Sequence, residues 1–569
     1  MNYNSTIRIR VVLTCLCLLT LIILGKLYFV QIVQGRSYRD KAERQYNKPI
    51  SSSFDRGSIF FESKEGTKIA AATMKEGYTL AINPKLIKDT NSVYEALLPY
   101  IKIDKDIFME KASKTDDPYE EIAKKLDKAV GESIQDLNLP GVVISKENWR
   151  VYPADSLAIN SIGIIGSNSD NVIAGRYGLE SFYEDILSRN KQKVSTNIFA
   201  EIFSDITQSV FDTETKEGDI VTSIEPTVEN FLEKTLAETQ NKWRSDSIGG
   251  IIMNPNTGEI FALATRPTFN PNNLKDVKNP KVFSNPLVED GQEMGSIIKP
   301  LTIAVGIDSG AITGKFTYND KGFLELNTKK ISNFDGRARG VVPAQEILSQ
   351  SLNVGAATVA IKTGHEKFSQ YFKSLGLGIM TGIDQPNEQI GLIKNLDSKR
   401  DIEIATASYG QGITMTPIQT IRALATLANG GKLVTPHIVK NIEYSGGTSE
   451  IIDKSISQVL KKETTDEVTN MLVKVIDTAL KKGQVKMEHY SIAAKTGTAQ
   501  IADPANHGYY KDRYLHSFFG YFPAYNPKYI VFLYHIYPKN VEYASETLTD
   551  PFISIVKFLI NYYEIPPDR

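Results

Sequence analysis

Residues 295–310 read GSIIKPLTIAVGIDSG, and the proline inside that stretch fixes how it folds. Proline is accommodated only in the first turn of a helix, where its missing N–H has no partner. Pro300 therefore predicts a helix beginning near Ser296, and the three-residue step puts Lys299 on the same face one turn later. Ser296 then stands at the positive end of the helix dipole. An amine in a dry site loses its proton readily and can activate a neighbouring hydroxyl as a nucleophile. Alone, this spacing of serine and lysine is a weak signal.

Two more stretches give it company. Residues 491–502, SIAAKTGTAQIA, hold Lys495-Thr496-Gly497-Thr498 between small and apolar neighbours, which predicts a buried strand. Gly497 removes a side chain where another backbone must come close. Lys495 and the hydroxyls of Thr496 and Thr498 suit a carboxylate. A free strand N–H near Thr498 can join that of Ser296 to hold an oxyanion. The second stretch is Ser351-Leu352-Asn353, in which a hydroxyl can relay a proton to a leaving amine and an amide can hold a substrate amide. Each has a decoy elsewhere. Lys362-Thr363-Gly364 lies between two helical patterns, with Gly364 as a helix C-cap. Ser169-Asp170-Asn171 lies in the turn chemistry of GSNSDNVIAGRYG and precedes Ser296.

Around these motifs the chain reads as an antiparallel sheet covered by helices, an α+β domain. Residues 220–243 predict a strand and an amphipathic helix. Residues 247–265 predict a hairpin turning at Asn254-Pro255-Asn256-Thr257-Gly258, and 516–536 a second hairpin around Pro523 to Lys528. Helices are expected over Ile418–Leu427, closed by Asn429-Gly430-Gly431, and over about 550–562. The polar run ETKEGD, 214–219, marks a boundary. Ahead of it, 36–216 alternates short apolar strands with charged stretches. Within it, 102–138 predicts a small exposed helical subdomain from the spacing of Ile122, Leu126 and Val130.

Composition narrows the function. With 41% hydrophobic and 23% charged residues over 569 positions, the chain folds rather than staying disordered, and its length suits several domains. A net charge of −1 supplies no basic field for nucleic acid. The two cysteines, Cys15 and Cys17, lie in an apolar run, so the rest of the chain has no disulfide framework, no Cys nucleophile and no cysteine metal site. That run, VVLTCLCLLTLIIL from 11 to 24, continues to Val33. As a helix, 11–33 covers about 34 Å, enough for a bilayer core. Arg8 and Arg10 before it place a tail of residues 1–10 in the cytoplasm and the rest outside. Gly25-Lys26-Leu27 follows where a signal peptide would carry small residues for cleavage, which favours an uncleaved single-pass anchor.

In the order Ser296, Ser351, Lys495, each in its helix, loop or strand, the motifs form the three-part set of penicillin-recognising serine enzymes. The chain resembles class B penicillin-binding proteins along nearly its whole length. Arg56-Gly57-Ser58-Ile59, Arg150-x-Tyr152-Pro153 and Gly178-Leu179-Glu180-x-x-Tyr183 resemble signatures of the family's N-terminal half. Arg266-Pro267 with Asn270-Pro271-Asn272, and Tyr409-Gly410-Gln411-Gly412 with Thr416-Pro417-x-Gln419, resemble those of its catalytic half; packing roles are expected for most of their glycines. Met294-Gly295-Ser296-Ile297 replaces the usual Pro-Gly-Ser-Thr, a change of packing more than of chemistry. The Asp-Arg pair usual after the Arg-Gly motif is absent from FFESKEGTK.

The resemblance implies a transmembrane helix over 11–33, an elongated pedestal of dimerisation type over 36–216 and a transpeptidase domain over 218–569. It implies that Ser296 attacks the carbonyl of a D-Ala-D-Ala stem peptide, losing its proton to Lys299. The terminal D-Ala leaves, protonated through Ser351, and an amine of a neighbouring stem peptide resolves the acyl-enzyme into a cross-link. Asn353 positions the amide; Lys495, Thr496, Gly497 and Thr498 form the carboxylate site. β-Lactams acylate Ser296 as substrate mimics, and no metal or organic cofactor is needed. A glycosyltransferase and membrane division proteins are the implied partners, with no nucleic acid. The run Asp512-Arg513-Tyr514-x-x-Ser517-Phe518-x-Gly520 is similar to the division-type branch. An elongation-type transpeptidase, a β-lactam hydrolase or sensor on the same fold, and a non-catalytic division scaffold are the alternatives.

Overall fold

A computed structural model describes residues 54–167, 173–189, 217–451, 455–506 and 508–569, and three single positions, 20, 26 and 28. Apart from those three positions the expected anchor over 11–33 therefore lies outside the described residues, as do the decoy Ser169-Asp170-Asn171 and residues 214–216 of the 214–219 boundary. Among the described residues no helix is long and apolar enough to cross a membrane.

By packing, the chain divides into two compact units, one formed by Met1–Asp55 and Lys75–Trp149, the other by Arg56–Met74 and Arg150–Arg569. This division runs through the stretch expected as a single pedestal, grouping 56–74 and 150–189 with the catalytic part.

In the first unit the described chain forms helices Thr90–Leu97, Lys105–Ala112 and Lys128–Asp136, with strand Glu120–Asp127 paired antiparallel to the end of strand Lys68–Ile82. Leu80, Ile82, Val93, Leu97, Phe108 and Ile134 make its core. The helical subdomain expected over 102–138 is corrected here. Ile122 and Leu126 belong to a strand, and only Val130 stands on a helix. A spacing of four puts two residues on one face of a helix and equally on one face of a strand, so the pattern fitted both. Antiparallel pairing with strand Lys68–Ile82 decided for the strand, with Leu126 set against Tyr78.

The second unit carries the catalytic sheet. Its elements are α1 (Pro226–Trp243), β1 (Ser247–Met253), β2 (Ile260–Arg266), α2 (Lys299–Asp308), α3 (Asn353–Thr363) and α4 (Pro417–Ala428). They are followed by α5 (Lys462–Lys474), β3 (Ala493–Asp503), β4 (Gly508–Phe522), β5 (Tyr529–Ile536) and α6 (Thr549–Tyr562). The five strands lie in the order β3-β4-β5-β1-β2, every pair antiparallel, which is the α+β arrangement expected. Helices cover both faces, so alternate residues of one strand enter different cores. Val531 and Leu533 of β5 join α1 and α6, while Phe532 and Tyr534 join the core that holds α2 and α4. All four are at most 1% exposed, and each such side chain contributes about 1.5–3 kcal/mol of burial. The turn between β1 and β2 falls at Asn254–Gly258, with Gly258 at φ +86°. Thr416 and Gln419 cap α4 reciprocally, and Gly430 and Gly431 follow its end with positive φ. In this scaffold β3 is an edge strand, so one side of its backbone is left for other partners.

A second sheet of this unit joins strand Ile59–Glu62 in parallel to Gly218–Thr222, which pairs antiparallel with Val439–Tyr444. Beside it Arg56, Arg150 and Glu180 form a buried charge cluster.

Candidate active site

The stretch 295–310 folds as a short turn, Gly295–Ile298, running into α2 with Pro300 in the first turn of that helix. Gly295 sits at φ +66°, and an added Cβ there would stand 2.9 Å from the Thr498 carbonyl oxygen. At Gly497 an added Cβ would stand 2.9 Å from the Met294 carbonyl oxygen and 2.3 Å from Ser517 Oγ. Ser517 Oγ donates to that same Met294 oxygen at 2.8 Å. The two glycines thus let the edge of β3 lie directly against the turn that carries Ser296. Behind it, Gly295 N donates to Gly410 O at 3.1 Å, and a Cβ on Gly410 would meet Gly295 O at 2.4 Å. The Tyr409–Gly412 segment therefore backs the turn.

Ser351 follows a short helix, Ala344–Ser349, and precedes α3. Its backbone is left-handed, φ +56°, a conformation that costs a non-glycine residue about 1–2 kcal/mol. Lys299 Nζ donates to its carbonyl at 2.6 Å and to its Oγ at 3.2 Å, and Lys495 Nζ donates to the same Oγ at 3.1 Å. Lys495 also donates to Thr496 O at 2.8 Å. One hydroxyl therefore lies between two amines. Lys299 is fully buried and Lys495 is 2% exposed. Burial, with Lys495 beside it, holds Lys299 well below the usual lysine range. Burial alone pushes Lys495 down to about 7.

Ser296, Ser351, Asn353, Lys495, Thr496 and Thr498 line one cavity of about 630 Å³. Lys299 lies outside that lining and joins it through its hydrogen bonds to Ser351, and Gly497 acts as the spacer described above. Asn353 Nδ2 donates to Ser332 O at 3.0 Å, and Thr498 Oγ1 accepts from Ala544 N at 3.1 Å. The decoy at 362–364 is a helix end, with Gly364 at φ +85° capping α3. Sequence reasoning missed much of the rim. Phe334 and Tyr543 face one another edge-on, ring centres 6.0 Å apart, and Gln411, Tyr514 and Glu542 are among the residues that line the same cavity. Exposed aromatics in loops carry no periodic signal, so only their exposure in the fold marks them. Among the described residues no group of three or more His, Cys, Asp or Glu side chains is placed to hold a metal ion.

The penicillin-binding protein transpeptidase domain family matches residues 248–556, more than half of the chain. The chain belongs to the penicillin-binding protein transpeptidase family. The transpeptidase also matches the penicillin-binding protein dimerisation domain over 55–222. It is 27% identical to the stage V sporulation protein D of Bacillus subtilis, covering 97% of this chain and 85% of that one. It is 26% identical to the peptidoglycan D,D-transpeptidase FtsI of Buchnera aphidicola, covering 100% and 96%. In fold the transpeptidase is similar to penicillin-binding protein 2X of Streptococcus thermophilus, with a TM-score of 0.74 at 20% identity over 90% of this chain and 79% of that one.

Proposed function

We propose that this transpeptidase is a peptidoglycan D,D-transpeptidase of cell division, working through an acyl-enzyme on Ser296 and inhibited by β-lactams. The observation that carries the reading is the convergence of Ser296, Ser351 and Lys495 on one cavity, with Lys299 and Lys495 both hydrogen-bonded to Ser351. A neutral lysine has two N–H donors and one lone pair. Lys299 gives both donors to Ser351, so its lone pair is left for the Ser296 proton. Ser351 Oγ receives two N–H bonds, which frees its own proton for the departing amine. Ser296 N–H and the edge of β3 at Thr498 are the candidate oxyanion donors. Asn353 is assigned to the substrate amide, and Lys495, Thr496 and Thr498 to its terminal carboxylate.

Labelling with a fluorescent penicillin, followed by mapping of the modified residue, is expected to find Ser296. A label on another residue, or none, sinks the assignment. The division role is supported by the Asp512–Gly520 run and is tested by depletion in the living cell, where filamentation is expected and rounding overturns it. The anchor over 11–33, with the catalytic part outside the cell membrane, is supported by the apolar run and by Arg8 and Arg10. Protease protection in intact spheroplasts tests it, because an outside domain must be cleaved.

Lys495 also sets a pH dependence. Below about 7 it is an ammonium that keeps a third N–H for a substrate carboxylate after bonding Ser351 and Thr496. Above that pH the third donor is gone. The kcat/KM for a carboxylate-ended peptide is therefore expected to decline as pH rises through about 7. A profile with no alkaline decline below about pH 10 removes Lys495 as the carboxylate ligand.

A further inference from the structure

Behind the cavity wall lie two histidines that the reaction described above does not use. His516 of β4 stands opposite Thr498 on one side and opposite His535 of β5 on the other, and both histidines are fully buried. Their rings are 5.2 Å apart and share one hydroxyl. His516 Nδ1 is 2.8 Å and His535 Nε2 3.0 Å from Thr547 Oγ1, while His516 Nε2 is 2.9 Å from the Glu542 carbonyl.

What each group can donate and accept orders the protons along this relay. A carbonyl only accepts, so His516 Nε2 carries a proton, and in the neutral ring Nδ1 must accept. Thr547 therefore gives its one proton to His516 Nδ1 at 2.8 Å rather than to the Ala544 carbonyl at 3.3 Å, and its oxygen accepts from His535 Nε2–H. The relay ends on the Glu542 carbonyl. Burial favours this neutral state, pushing His516 down to about 4 and holding His535 well below its usual range.

The relay's end is a cavity wall. Glu542, Tyr543, Ala544 and Ser545 all line the catalytic cavity, and Ala544 N donates to Thr498 Oγ1. The segment is thus tied to β3 by Thr498 and to β4 by His516, two residues facing each other across the β3–β4 ladder. The geometry points to His516 as a positioning residue that fixes the 542–545 wall against Thr498 and so sets the fit of the donor peptide. This rests on the transpeptidase reading and adds a determinant of substrate fit to it.

The test is steady-state release of D-alanine from a D-Ala-D-Ala stem peptide by the full chain. In His516→Phe, KM is expected to rise about tenfold while kcat holds within about twofold, the mark of lost uniform binding. His516→Gln, whose amide can reach the Glu542 carbonyl, is expected to recover most of the loss. An unchanged KM overturns the proposal. So does a joint fall of kcat and rise of KM that His516→Gln fails to repair, since that is a folding effect. Should His516→Phe not fold, Thr547→Val breaks the relay at its middle with the same volume, and the same split is expected; an unchanged KM there is equally fatal. Wild-type protein that releases no D-alanine overturns the transpeptidase reading and this one together, whereas turnover with an unmoved KM in the variants sinks only the wall.

Discussion

Lys299→Ala is expected to slow acylation of Ser296 by penicillin about 10²- to 10⁴-fold, the range a positioned general base supplies. The side chain is fully buried, and burial holds its amine well below the usual lysine range, which favours the neutral form a base needs. Lys495 is the competing base. It sits on β3, however, whereas Lys299 directly follows the turn that carries Ser296 and stands three residues from it. Truncation also frees the Ser351 carbonyl, which Lys299 anchors in a left-handed backbone, at a cost of about 1–3 kcal/mol. A domain with about 5–15 kcal/mol of stability survives that loss. Lys299→Met keeps the apolar stem and separates the two effects. It is expected to fold as the parent does and to acylate as slowly as the alanine variant. A rate within a few-fold of the parent in a folded Lys299→Met protein removes Lys299 as the base.

What could be foreseen from the chain follows from the range of the forces involved. Pro300 placed the start of α2, and Asn254–Gly258 placed the first hairpin, because both act over a few residues. Gly497 was legible as a point of close approach, but the partner, Met294 O, lies some two hundred residues away and left no local trace. Strand 120–127 was misread because Ile122 and Leu126 satisfy two periodicities, and only pairing with Tyr78 and its neighbours separates them. The histidine relay was invisible for the same reason. His516, His535 and Thr547 are ordinary residues in three elements until the sheet brings them onto one hydroxyl.

The buried charge cluster of Arg56, Arg150 and Glu180 bears on stability in the same long-range way. Glu180→Ala is expected to destabilise the protein by about 3–5 kcal/mol, the cost of leaving buried charge unpaired. Three family signatures that lie far apart in sequence meet there. Arg56 Nε donates to Glu180 Oε2 at 2.5 Å, Arg150 Nε to Glu180 Oε1 at 2.7 Å, and all three side chains are at most 1% exposed. Arg56 keeps a second carboxylate in Glu184, at 2.7 Å, so it tolerates the loss. Arg150 has no second carboxylate among the described residues. Its remaining bond is Nη1 to Gly57 O, and its Nη2 is already buried without a hydrogen-bond partner. The uncompensated ion in Glu180→Ala is therefore Arg150, which makes the sign of a second change calculable. Adding Arg150→Met removes that ion and keeps the stem volume, so the double variant is expected to be more stable than Glu180→Ala alone. Urea unfolding reads both, as a shift of midpoint at constant slope. A loss under about 1 kcal/mol in Glu180→Ala means water reaches the cluster and the pairing is worth no more than a surface ion pair. Penicillin acylation of the folded fraction is expected to stay at the parental rate, because the cluster touches none of the groups that meet in the cavity.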